Sequence, residues 1–337
     1  LDEGATIPFI ARYRKEVTGS LDEVEIANIR DLNITFVELA KRRKTIIASL
    51  QERKMLTQEL RQKVANAPSM NELEDVYLPY RPKKHTRASI ARDKGLEPLA
   101  HEILQQKDGH LDIRKYIKPA MEVANRDQAL AGARDIIAEQ INEHAELRQV
   151  LRTLFTEQAW LTSKVVKKKK DEAEKFRDYF DLTDKLNRMP AHRFLAVLRG
   201  EKEKFLRIQA RPKEELAMRS VKKFFVKSYN FAARQVADAA EDAYKRLLLP
   251  SLEKECLKAA KVKADKEAIQ VFVNNLRELL LAAPLGRKNI LAFDPGFRTG
   301  AKVVALSAQG ELLYNCNLFP TSGGARQKEA ALEVPKL

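Results

Sequence analysis

The 337-residue sequence predicts a mainly α fold: an extended multi-helix body followed by the opening β-meander of an α/β domain. Three observations carry this. Apolar residues recur at three- and four-residue steps through most of the chain before Ala282. The sequence holds only 12 Gly and 13 Pro, while 32% of residues are charged and 7% aromatic, as in long solvent-facing helices. After Ala282-Ala-Pro-Leu-Gly286 the spacing changes to short apolar runs bounded by Gly and Pro, which suit buried strands.

The elements follow in order. Ile7 to Arg14 read as a short helix, broken at Thr18-Gly19. Leu21-Asp22-Glu23 opens a long helix reaching roughly to Arg53, its acids placed at the positive end of the helix dipole. Ile29, Leu32, Phe36, Leu39, Ile46, Ile47 and Leu50 form one apolar stripe along it. Two helices meeting at a Gly-containing turn fit a helix-turn-helix and equally any helical hairpin. Ser69-Met-Asn-Glu72 has the spacing of a capping box for a short helix ending at Pro79. Helices are expected over Leu96–Gln105, Asp127–Gln140 and Asn142–Trp160, with Phe176, Tyr179 and Phe180 buried beyond them. Pro190 opens a helix through Leu198, and Gly200-Glu201 with Phe205–Ile208 suggests a small hairpin. Ala232, Val236, Ala239, Ala243 and Leu247 share one helical face, with Pro250 expected to interrupt it before helix resumes over Leu252–Ala264 and Ile269–Leu281. Strands are expected at Ile290–Phe293, Ala301–Leu306 and Leu312–Phe319, then a helix start over Gln327–Val334. Three regions result: residues 1–190, residues 191–286 and an incomplete unit over 287–337.

The net charge is +15 and the pI near 9.6, values that call for a polyanionic partner or an anionic surface and say nothing of fold. Residues 288–337 hold six basic and four acidic residues, so +13 belongs to the helical part. The other reading of that charge is a well-solvated helical surface. Cys256 and Cys316 stand without CxxC spacing, which disfavours a disulfide framework or a zinc site. His101, His110 and His144 are scattered, with no metal-binding spacing. No metal or cofactor is expected. With no apolar run of ~18 residues there is no candidate membrane span, no signal peptide is visible at Leu1, and a reduced, cytoplasmic protein is the default.

Candidate contact residues come in four groups. Arg12, Arg14 and Lys15 crowd the first helix. Tyr77-Leu-Pro-Tyr-Arg-Pro-Lys-Lys-His-Thr-Arg87 interleaves two aromatics with cations, contributing Tyr80, Arg81, Lys83 and Lys84. Such interleaving suits single-stranded nucleic acid, and a Pro-rich connector whose tyrosines pack on neighbouring helices fits it too. Lys164 and the run Lys167, Lys168, Lys169 and Lys170 are positioned for phosphate, although Asp171, Glu172 and Glu174 beside them also fit a solvated surface. Asp294-Pro295-Gly296 is turn chemistry on one reading. On the other, Asp294 is a strand-end carboxylate of a metal-dependent nuclease centre.

Asp294-Pro-Gly-Phe-Arg-Thr-Gly300 resembles the opening motif of the YqgF domain, an RNase H-like fold, as it occurs in bacterial Tex transcription accessory proteins. Gly4 through Glu16, Leu73-Glu-Asp-Val-Tyr-Leu-Pro-Tyr-Arg-Pro-Lys-Lys84 and Ala173-Glu-Lys-Phe-Arg-Asp-Tyr-Phe180 resemble the same family. Several long motifs in one order are far more specific than any one of them, and they cover essentially the whole chain. The resemblance implies a fragment, with helix-hairpin-helix elements and an OB-fold RNA-binding module beyond Leu337. It also adds Arg298 to the nucleic-acid candidates. It implies a non-catalytic, nucleic-acid-binding accessory factor, since the acidic set of the YqgF domain is generally incomplete in Tex proteins. The alternatives are a YqgF-type metal-dependent nuclease or resolvase built around Asp294, and a protein-interaction platform for the transcription machinery.

Overall fold

A computed structural model describes residues 4–82, 85–109, 111–283, 286–296, 300–319 and 324–334. The chain divides into two compact units, Leu1–Ala268 and Ile269–Leu337.

The first unit opens with α1 (Ile7–Tyr13), α2 (Lys15–Thr18) and the 30-residue α3 (Glu23–Glu52). Asp22 starts α3 through a reciprocal capping box: Glu25 N donates to Asp22 Oδ1 at 2.7 Å and Asp22 N to Glu25 Oε2 at 3.0 Å. The stripe expected along α3 divides in two. Leu39, Ile46 and Leu50 are buried against α4 (Gln58–Asn66) and α5 (Met70–Tyr77), whereas Ile29, Leu32 and Phe36 remain exposed. A stripe fixes which side of a helix is apolar, and only a neighbour covers it. Ser69 caps α5, accepting from Glu72 N at 3.3 Å.

Beyond the Pro-rich connector lie α6 (Arg87–Asp93), α7 (Glu97–Gln105), α8 (Arg126–Asn142) and α9 (Ala145–Gln158). α8 is the central helix, packed on by α6 and α7 and buried along much of its length. Gly132 makes the approach to α7 possible, since a Cβ there would stand 2.4 Å from Leu96 Cδ1.

Trp160 ends no helix: it begins β1 (Trp160–Val165), and Gln158 is the last helical residue of α9. The strand pairs antiparallel with β2 (Asp181–Lys185) on one side and β3 (Leu206–Arg211) on the other, in the order β2-β1-β3. This replaces the hairpin expected at 200–208. Gly200 is still within α10 (Ala191–Lys202), and β3 finds its partner in β1, far upstream. The polar Ser163, buried on the inner face, hides the strand alternation in β1.

α11 (Glu214–Phe225) and α12 (Phe231–Asp242) follow, and α12 continues through a π-helical stretch, Ala243–Leu248, into the 32-residue α13 (Leu249–Leu280). Pro250 therefore interrupts nothing. The widened turn, in which Leu249 N donates to Tyr244 O, shifts the carbonyl register just before the residue that lacks an N–H.

Two arginines of α9 tie α5, α9 and α13 together. Arg148 Nε donates to Asp75 Oδ1 at 2.7 Å and its Nη2 to Glu255 Oε1 at 2.9 Å. Arg152 spans the same two acids, to Asp75 Oδ2 at 2.8 Å and Glu255 Oε2 at 2.9 Å.

In the second unit β4 (Ile290–Gly296), β5 (Gly300–Leu306) and β6 (Leu312–Leu318) form the expected antiparallel meander, and α14 (Gly324–Glu333) seats Ala330 against Val303 and Leu318. Gly300 has φ +76, and a Cβ there would stand 2.7 Å from Leu318 O, so no other residue fits.

Replacing Asp75, whose side chain is 6% exposed, with Ala leaves the 5%-exposed Arg148 without its closest anion. The expected loss is about 3–5 kcal/mol of unfolding free energy in urea melts. A loss below ~1 kcal/mol, the range of surface pairs, would show that the network is solvated.

Candidate nucleic-acid interface

The sheet of the first unit has one dry face and one wet one. Leu161, Ser163, Leu182, Leu206 and Ala210 face inward and are buried. Alternation puts Trp160, Thr162 and Lys164 on the other side. There they align with Lys185 and Arg211, with Thr183 and Gln209, and with Asp181 and Arg207, row by row. Lys185 Nζ stands 5.5 Å from the Trp160 ring centroid. Arg211 is engaged by Glu253 at 3.0 Å, but Lys164 and Arg207 are exposed and form no ion pair among the described residues.

The lysine run grows from this face. Val166 N donates to Phe205 O at 2.8 Å, extending the β1–β3 pairing by one step, and Lys167–Lys169 then turn as a single 3-10 turn. Lys167, Lys168 and Lys170 are exposed and form no ion pair among the described residues, while Lys169 lies over the Phe205 ring at 5.5 Å. Nearby Glu203 is satisfied by Lys175 at 2.5 Å and Arg199 at 3.3 Å, and the Lys175 hydrogen bond holds its carboxyl below the usual range. Asp171 and Glu172 stay exposed beside the run. The structure thus joins Lys164 and Lys167–Lys170 to Arg207, which the sequence does not single out. Only strand pairing reveals Arg207.

The other candidates lie elsewhere. Arg12, Arg14 and Lys15 are exposed at the junction of α1 and α2. Phe9 and Tyr13, also exposed, approach to 5.3 Å between ring centroids, and the Arg14 guanidinium stands 5.9 Å from the Phe9 ring. In the connector Tyr77 is buried, its hydroxyl 3.2 Å from Ser49 Oγ and its ring 5.6 Å from the Arg42 guanidinium. That ring is unavailable to a base. Tyr80 is half-buried in a one-turn helix, its carbonyl accepting from Arg53 Nη1 at 2.5 Å, and Arg81 is exposed. Lys83, Lys84 and Arg298 lie outside the described residues.

Asp294 lies within β4 rather than at its end, opposite Lys302, and pairing continues to Gly296 opposite Gly300. Asp-Pro-Gly is therefore strand rather than turn. Among the described residues β4 lies at the edge of the sheet, a position that admits Pro295. Asp294 is the one carboxylate in the three strands. Among the described residues no three His, Cys, Asp or Glu side chains are grouped to hold a metal. A two-metal centre needs several converging carboxylates, so the residues described here do not fit one.

Comparison with known proteins matches three family models in chain order: Tex-like protein N-terminal domain over residues 1–51, Tex central region-like over 105–272, and Tex protein YqgF-like domain over 288–337. The chain belongs to the Tex family. It is 37% identical to "Protein tex" of Bordetella pertussis, with 95% of the chain and 42% of that protein aligned. It is 38% identical to "Transcriptional accessory protein Tex" of Neisseria gonorrhoeae, over 93% of the chain and 42% of that protein. The human "S1 RNA-binding domain-containing protein 1" is 28% identical, over 96% of the chain and 34% of that protein. The chain spans about half the length or less of the curated relatives it matches.

Within this Tex chain the basic sheet edge belongs to the central region-like segment and Asp294 to the YqgF-like one. Among the described residues no helix is long and apolar enough to cross a membrane. Cys256, buried in α13 with Sγ 3.5 Å from Phe155 O, is no nucleophile: burial pushes its thiol up to about 11. A disulfide reagent is therefore expected to label half-exposed Cys316 in the native protein and to reach Cys256 only on unfolding. Equal native rates, read by mass spectrometry of the two peptides, would contradict that burial.

Proposed function

We propose that this chain is the non-catalytic, nucleic-acid-binding scaffold of a transcription accessory factor. The observation that carries it is the cationic edge made by Lys164, Arg207 and Lys167–Lys170 on an open sheet face, with no ion pair on Lys164, Arg207, Lys167, Lys168 or Lys170 among the described residues. Cations held on a rigid sheet and engaged in no ion pair suit a phosphate backbone and select no base, with Asp181, Asp171 and Glu172 the acids beside them. Arg12, Arg14 and Lys15 beside exposed Phe9 and Tyr13 offer a second contact of the same kind. The names of relatives, one a transcriptional accessory protein and one an S1 RNA-binding domain-containing protein, agree with this reading. We assign residues 1–190 and 191–286 to the helical scaffold and 287–337 to the opening of the YqgF-like domain.

Charge reversal of Lys167, Lys168, Lys169 and Lys170 is expected to weaken binding equally across unrelated sequences. It should also lower the salt dependence, by ~0.9 in the slope of log K against log salt for each duplex phosphate no longer neutralised. Anisotropy titrations at several salt concentrations check this, and weakening confined to one sequence would argue for base reading instead.

The nuclease reading is tested at Asp294. No cleavage of branched or single-stranded DNA or RNA is expected in Mg²⁺ or Mn²⁺ from the full-length protein, and Asp294→Asn should leave nucleic-acid binding unchanged. Metal-dependent cleavage that disappears in Asp294→Asn would overturn the non-catalytic assignment.

One observation favours the protein-platform reading as well: Leu32, Ile34, Phe36 and Val37 are all exposed on α3. A pull-down of transcription machinery that survives nuclease treatment would support it.

A further inference from the structure

α11, α12 and the loop between them enclose an open groove of ≈ 920 Å³. Its basic side is lined by Arg219, Lys222, Lys223 and Lys227, and Tyr229 stands at its end. None of the four cations is ion-paired among the described residues, and all are exposed. The acids of the groove, Glu214 and Glu215 in the first turn of α11 and Glu241 on α12, are partly neutralised. Lys245 Nζ reaches Glu241 at 2.7 Å and Glu214 at 3.3 Å, leaving Glu215 as the acid of the groove without an ion pair among the described residues. The hydrogen bond from Lys245 holds the Glu241 carboxyl below its ordinary range, and the charge on Lys222 adds to the effect.

The loop is unusually well fixed for one so exposed. Gln106, itself buried, donates from Nε2 to Phe225 O at 2.7 Å and accepts from Lys227 N at 2.7 Å. Asn230 donates to Gln106 O at 2.9 Å and caps α12 by accepting from Ala233 N at 2.9 Å. Phe224 and Phe225 meet the His144 ring edge-on at 5.4 and 5.3 Å. Between these anchors Tyr229 is 98% exposed. Tyr77 and Tyr244, by contrast, are buried. Lys222 and Lys223 also complement the C-terminal end of the α11 dipole. Lys227 and Tyr229 lie beyond that helix and are not explained so.

We propose that this groove is a binding site for single-stranded nucleic acid, with Tyr229 stacking on a base and Arg219, Lys222, Lys223 and Lys227 following the phosphates. The inference rests on the nucleic-acid reading above but uses different residues. A flat aromatic face beside cations is what a splayed base and its backbone need, whereas an acidic peptide would use the cations and leave the ring idle.

The test is anisotropy of fluorescein-labelled oligothymidylate and oligouridylate with the 337-residue chain, alone and with polyglutamate as competitor. Tyr229→Ala is expected to weaken binding about tenfold and Tyr229→Phe to preserve it, as stacking requires. The Lys222→Glu, Lys223→Glu double variant should reduce the salt slope by roughly 0.7 for each phosphate no longer neutralised. All of these substitutions are on exposed side chains, and circular dichroism confirms that the fold is kept. Wild-type affinity in Tyr229→Ala and in the double variant, with weakening on reversal of Lys167–Lys170, would sink the groove and leave the sheet-edge reading standing. Weakening in the groove variants alone would support the groove and remove the sheet edge. Failure of the wild type to bind either oligonucleotide would remove both. Displacement by polyglutamate with no effect of Tyr229→Ala would make the occupant an acidic peptide and overturn the proposal.

Discussion

Arg148, Asp75, Arg152 and Glu255 form a closed four-membered ion network, and it sits where two hydrophobic clusters of the first unit meet. One cluster is the small core of α3, α4 and α5, built on Leu39, Ile46, Leu50, Val64 and Leu73. The other runs from α6 to the first turns of α13. Apolar contact alone would let α5 slide on α9, because hydrophobic attraction has no direction. Two guanidiniums, each bridging the same two carboxylates, do have direction, and their charge-assisted hydrogen bonds fix the register. Desolvating four charges gains little net stability. The network is better understood as fixing where the N-terminal helices stand relative to the body that carries the sheet.

That body presents its cations on backbones that are themselves constrained. Lys164 and Arg207 are locked by strand pairing, and the lysine turn begins where that pairing ends. The loop carrying Lys227 and Tyr229 is held from below by one buried glutamine. In each case the polar backbone is satisfied internally, so the charged tips remain free for an external polyanion. Long cationic side chains on a fixed frame lose little further backbone entropy on binding. The arrangement suits contact with many sequences at modest affinity.

The YqgF-like segment shows the opposite balance. Its meander has Val303 as the centre of a small core, and its edge strand carries Asp-Pro-Gly without a turn. Asp294 faces Lys302 across the ladder, a cross-strand pairing of opposite charges that needs no metal to make sense.

The sequence by itself determined the elements whose signals are local. The acids Asp22 and Glu23 at the start of α3, the Ser69 cap, the helix opened by Pro190 and the three strands after Gly286 depend on residues within a few positions of each other. The run Lys167–Lys170 was legible for the same reason. Tertiary structure decided whatever depends on a distant partner. β1 is recognisable only beside β3, because Ser163 breaks its alternation and its buried hydroxyl is satisfied by Tyr179 O at 2.8 Å. Which half of the α3 stripe is covered depends on α4 and α5, and whether Pro250 ends a helix depends on the π turn before it. Tyr77 and Tyr229 look alike in sequence, each an aromatic near cations and turn residues. One is buried against Ser49 and Arg42 and the other held out in solvent by Gln106. Exposure is a property of neighbours brought together by folding, and no local pattern encodes it.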